Sequence, residues 1–78
     1  MKITTKTGKV FECDLAIESK SMPVLYLNIR NSTVKKVSAA FTNAAKELPL
    51  AEFPAYPEFY SMSSTPAGVK VTLKKEEQ

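Results

Sequence analysis

Apolar and polar residues alternate without a break from Phe11 to Glu18. Phe11, Cys13, Leu15 and Ile17 fall on one side, and Glu12, Asp14, Ala16 and Glu18 on the other. A period of two marks a strand with one face in a core. Upstream, Lys6-Thr7-Gly8-Lys9 places a glycine where a three-residue hairpin loop needs a left-handed backbone, so Met1 to Thr5 is expected to pair back antiparallel. That register sets Ile3 against Phe11 and Lys2 against Glu12, an apolar pair on one face and an ion pair on the other. Ser19 to Pro23 interrupts the alternation. Val24 to Arg30 resumes it, with Leu25, Leu27 and Ile29 opposite Tyr26, Asn28 and Arg30, as a third strand.

The period then changes. Asn31-Ser32-Thr33 offers side-chain oxygens suited to a helix N-cap, and Val34, Val37, Phe41, Ala44 and Leu48 recur at spacings of three and four. This stripe predicts a helix that docks on the sheet and ends near Glu47 or Leu48, because Pro49 cannot continue it. A helix of about four turns is marginal alone in water, so its stripe must be covered. Farther on, Thr65-Pro66-Ala67-Gly68 reads as a turn between two final strands, with Met62 opposite Val71 and Tyr60 opposite Leu73.

The expectation is an α+β fold. An antiparallel sheet of four or five strands, in the order β-β-β-α-β-β, carries one helix on one face. The predicted core is Ile3, Phe11, Cys13, Leu15, Ile17, Leu25, Leu27, Ile29, Val34, Val37, Phe41, Ala44, Leu48, Met62, Val71 and Leu73. Val10, Ala16, Val24 and Tyr26 would lie on the uncovered side, which leaves room for a second copy or a partner there.

Composition narrows the class of molecule. Seventy-eight residues, 44% hydrophobic and 24% charged, make a single domain spanning 1–78 near the lower size limit for an unaided apolar core, with 75–78 expected to fray. The single cysteine excludes an internal disulfide. Neither a signal-peptide-like start nor a membrane-length apolar run is present, so the expectation is a cytoplasmic protein and no membrane. The net charge of +3 allows only weak attraction to polyanions.

The chain has neither histidine nor tryptophan, which removes the usual acid-base residue near neutral pH and the commonest metal ligand. Glu12, Asp14 and Glu18 read as a solvated strand face paired with Lys2, and Cys13 reads as a small buried hydrophobe. The two glycines lie too far apart for a phosphate loop. The expectation is therefore no enzyme, no cofactor and no metal. Lysines suited to phosphate contacts are Lys35, Lys36 and Lys46 on the helix and Lys70, Lys74 and Lys75 near the end of the chain, with Tyr26 available to stack. So few contacts would give weak, salt-sensitive nucleic-acid binding.

The segment Leu50 to Tyr60 stands apart. Phe53, Tyr56, Phe59 and Tyr60 crowd into eight residues with Pro54 and Pro57. Phe53, Tyr56 and Phe59 together would expose roughly 450 to 750 Å² if left in water, at or above the largest patch usual on a monomer. Either the segment folds back to cap the core or it binds a partner protein. A mixture, with Phe59 inward and Tyr56 outward, is a third reading.

The opening Met1 to Glu12, a short third strand, the helix start Val34 to Phe41, the Phe59-Tyr60 pair and the closing Gly68 to Lys74 resemble small uncharacterised proteins encoded in phage and prophage gene clusters of Gram-positive bacteria. The resemblance implies a structural or accessory interaction protein in the cytoplasm of a bacterial host or in a virion, and brings no catalytic residue with it. The proline-aromatic segment departs from the plainer loop such proteins show. The leading functional expectation is a non-catalytic structural or protein-interaction module acting through residues 53–60 or the open sheet face. The alternative is a weak nucleic-acid-binding accessory protein.

Overall fold

The first hairpin closes on the loop its glycine predicts. In the computed structural model, which describes residues 1–43 and 50–75 and the side chains of all these except 40–43, Thr5 N–H donates to the Lys9 carbonyl at 2.8 Å and Gly8 takes φ 97°. Strand β1 (Lys2–Thr4) then pairs antiparallel with β2 (Val10–Glu18), with Lys2 opposite Glu12 and Ile3 opposite Phe11. Strand β3 (Val24–Arg30) follows, then helix α1 (Val34–Asn43), then the hairpin of β4 (Glu58–Thr65) and β5 (Gly68–Lys74). The strands form one antiparallel sheet in the order β1-β2-β3-β5-β4, so the last strand inserts beside the third. This is the expected α+β architecture.

Thr33 caps the helix. Its hydroxyl accepts the Lys36 N–H at 3.2 Å and its carbonyl the Val37 N–H at 3.0 Å. Val37 is fully buried and Val34 packs against the same core. The expected helix end near Glu47, and Ala44 and Leu48 of the predicted core, lie outside the described residues, as does the Phe41 side chain.

Between Thr65 and Gly68, Pro66 and Ala67 turn the last hairpin. Gly68 must be glycine, because a Cβ there would stand 2.1 Å from the Ile29 carbonyl oxygen. Met62 opposes Val71 as expected. Tyr60 does not oppose Leu73: the register shifts between Phe59 and Ser61, so Phe59 takes that place and Tyr60 is left exposed. Lys75, expected in the fraying tail, donates its N–H to the Pro23 carbonyl at 2.6 Å and so is tied to the β2–β3 loop.

A second bulge changes the core more. Cys13 pairs with Ile29 but Leu15 pairs with Asn28, so Asp14 is an extra residue with no opposite number on β3. The strand is turned over beyond it. Ala16 and Glu18, rather than Leu15 and Ile17, now stand beside Leu27 and Leu25 on the covered face. Leu15 and Ile17, both predicted to be core, are 50% and 46% exposed on the outer face. Ala16, predicted to lie outside, packs against the core. The buried Cys13 thiol donates to the Leu15 carbonyl at 3.1 Å, which braces the bulge from within.

The helix covers only part of the sheet. It contacts β4 and β5, as its width requires: a helix about 10 Å across spans roughly two strands spaced about 4.8 Å apart. The β1–β2 side is closed by the chain beyond the helix. Leu50 forms a β-bridge with Thr5 and is fully buried. Two successive turns, Phe53 N–H to Leu50 and Tyr56 N–H to Phe53, then carry Tyr56 into the core cluster. The Tyr56 hydroxyl donates a short hydrogen bond to Glu18, the residue that the β2 bulge brings to the covered face. Among the described residues the core therefore has a lid in two parts, one helical and one made of the proline-aromatic segment.

Candidate functional site

The four aromatic candidates of the segment have different fates. Tyr56 is 7% exposed, and Phe53 and Phe59 are half-buried against the core. The reading that turned Tyr56 outward is corrected: its ring is buried in the core cluster and its hydroxyl reaches Glu18 of β2. Its hydroxyl is pushed up to about 12, first by the hydrogen bond to Glu18, then by burial, then by the negative charge of that carboxylate. Tyr60 alone among the four is strongly exposed, at 57%.

The segment also seals one edge of the sheet. Ala51 N–H donates to the Thr4 carbonyl at 2.9 Å, and both carboxylate oxygens of Glu52 accept the Thr4 N–H, at 2.8 and 2.9 Å. The backbone of β1 thereby meets a matched partner in place of solvent.

Across the sheet from the lid lies the outer face, where strand pairing lays side chains out in rows. Leu15, Asn28, Lys70 and Ser63 form one row, and Ile17, Tyr26, Thr72 and Ser61 the next. The Lys70 ammonium stands 4.5 Å over the Tyr26 ring, so that face of the ring is occupied. Thr72, in the middle of the face, is buried among these neighbours. At the upper end Arg30 reaches back to β2, 3.1 Å from Asp14 and 3.5 Å from Glu12. Glu12 thus engages Arg30, where the sequence pointed to Lys2. A hollow of about 180 Å³ opens beside the bulge, lined by Asp14, Leu15, Asn28, Arg30, Thr65 and Ala67 among others.

The candidate nucleic-acid lysines do not share a surface. Lys35 and Lys36 are exposed on the helix, over the covered face, whereas Lys70 and Lys74 stand on the outer face. Lys46 lies outside the described residues. A wider hollow of about 510 Å³ separates the start of the helix from the β4–β5 turn, lined by Ser32, Thr33, Lys35, Ser64 and Thr65 among others. Among the described residues no group of three acidic, histidine or cysteine side chains comes together, and no helix is long and apolar enough to cross a membrane.

No family model, curated protein or solved structure matches the chain. An uncovered sheet face was legible in the sequence, but not that Leu15 and Ile17 lie on it: they fit the inward side of an unbroken alternation, and only Asp14, with no opposite number on β3, sends them out.

Proposed function

We propose that this protein is a non-catalytic interaction module whose outer sheet face receives a partner protein. The observation that carries the reading is the pair Leu15 and Ile17, held half-exposed beside Tyr26 on a regular sheet. Apolar side chains in water on a rigid surface gain by being covered. The hollow beside the bulge gives a partner side chain a place to seat. Lys70 lies within these rows, over the Tyr26 ring, so the complementary surface is apolar with an acidic contact at that point. The resemblance to phage and prophage proteins makes an accessory or assembly role the setting for such contact. Glu12 and Asp14, the clustered acids, are engaged with Arg30, which supports a role without acid-base chemistry. Placement of Lys35 and Lys36 on one side of the sheet and Lys70 and Lys74 on the other favours protein over nucleic acid, since no single strand runs past both groups.

A photo-cross-linking residue at Ile17, with a control at Lys35, tests this in producing cells. The expected result is one protein adduct from position 17 that the Leu15→Ser change suppresses, and none from position 35. Equal capture from both positions would count against the reading. So would binding of labelled DNA or RNA that weakens steeply between two salt concentrations.

A further inference from the structure

The two edges of the sheet are treated in opposite ways. At β1, residues 50–52 lie alongside the strand and Glu52 takes the Thr4 N–H. At the other edge, β4 has β5 on one side and, among the described residues, no strand on the other. Natural sheets block such an edge with lysine, proline, an inward charge or a covering loop. From Phe59 to Thr65 the sequence is Phe-Tyr-Ser-Met-Ser-Ser-Thr, with no charge and no proline. The one disruptive device is the bulge at Tyr60, and it leaves Ser61 to Thr65 in regular register with β5. In an antiparallel strand alternate residues turn their N–H and C=O groups away from the existing partner, so this stretch presents a ready hydrogen-bonding template.

We infer that a second copy of this chain pairs with β4, antiparallel and edge to edge, to give one sheet continuous across two molecules. The occupant follows from the chemistry of the edge. An antiparallel strand is its own complement under a two-fold axis, so a second copy supplies matching donors and acceptors with no further requirement. Charge permits it as well. In this chain of net charge +3, the Ser61 to Thr65 stretch carries none. With the axis near Met62, Glu58 of one copy falls opposite the uncharged end of the strand in the other. Serines and threonine at the contact are small and wettable, which suits an edge that opens and closes. The contact is short, about 17 Å for five residues, and therefore weak, with dissociation expected between about 10 µM and 1 mM. The inference stands apart from the outer-face reading, because it uses the backbone of β4 and neither Leu15 nor Ile17.

Sedimentation equilibrium over a concentration series measures it. Wild type is expected to pass from monomer to dimer. Ser61→Lys sets one ammonium group on each side of the axis, diagonally across the contact, and is expected to weaken the dimer about tenfold, with unchanged circular dichroism. Leu15→Ser with Ile17→Ser is expected to leave the dimer intact. A wild type that stays monomeric at the highest concentration overturns the inference, as does a dimer lost in the Leu15 and Ile17 variant but kept in Ser61→Lys. Should Ser61→Lys fail to fold, single cysteines at Ser61, Met62 and Ser63, with Lys2→Cys on the sealed edge as control, give a second reading. Disulfide-linked dimers from β4 alone support the pairing, and equal yields from both edges or none from β4 overturn it.

Discussion

The two faces of the sheet draw on the same kinds of residue and put them to different uses. On the covered face Leu25, Leu27, Ile29, Val69, Val71 and Leu73 are all buried under the lid. On the outer face Leu15 and Ile17, equally apolar and on the neighbouring strand, remain about half in water. Side-chain chemistry does not separate these groups; position relative to one bulged residue does. The consequence is a closed interior on one side and a half-exposed apolar surface on the other, built from a sequence that reads as a single uninterrupted amphipathic strand.

The sharpest test of that contrast compares one residue type on the two faces. Leu27→Ala removes a fully buried side chain at the centre of the sheet and is expected to cost about 2 to 5 kcal/mol, a large share of the stability of so small a domain. Leu15→Ala, half in water, is expected to stay within about 0.5 kcal/mol of wild type. Urea denaturation of both variants reads the difference directly. Equal losses would mean that Leu15 is a core residue and that the bulge is misplaced.

A smaller effect separates two deletions in β2. Removing Asp14 takes out the residue that has no partner on β3, leaving Leu15 outside and Ala16 inside. The expected loss is the ion pair with Arg30, about 0.2 to 1 kcal/mol. Removing Ala16 also lets the strand pair without a bulge, but Leu15 then takes the inward place opposite Leu27. Forcing the larger side chain into that place is expected to cost roughly 1 to 3 kcal/mol. The same denaturation experiment distinguishes them, and a deletion of Asp14 that costs as much as one of Ala16 would break the contrast.

Legibility in the sequence followed the range of the interaction. The β1–β2 register, the Thr33 cap and the turn at Pro66 and Ala67 depend on neighbours in the chain, and local pattern was enough to place them. Insertion of β5 between β3 and β4 depends on pairing across some forty residues, and nothing local encodes it. The bulge was hidden for another reason. Phe11 to Glu18 alternates perfectly whichever way its second half faces, so the choice falls to what must fit against it. Tyr56 bears on that choice: its hydroxyl needs an acceptor, and Glu18 supplies one from the covered face that it shares with Ala16. Glu52, which seals the β1 edge, has no sequence signal beyond being a carboxylate in a loop.

The finest test lies where the two faces meet, at Glu18, an exposed residue on the covered side whose carboxylate accepts the Tyr56 hydroxyl. Tyr56→Phe keeps the ring and removes only that bond. Glu18 is exposed and regains water, so the expected loss near neutral pH is about 1 kcal/mol. The alkaline behaviour is more specific. Tyrosine is neutral when protonated, and its value in the folded chain, about 12, lies above the ordinary 10. Between those values the folded chain holds a proton that the unfolded chain has released, so stability falls as pH rises from about 10 to 12 and is fully present below that window. Tyr56→Phe lacks this contribution, and the gap between the two proteins should narrow across the same interval while other alkaline effects act on both alike. Thermal melts of the pair at matched pH would show it. A gap that stays constant from pH 9 to 12 would mean that Tyr56 gives up its proton as easily folded as unfolded, and that Glu18 was not turned inward to receive it.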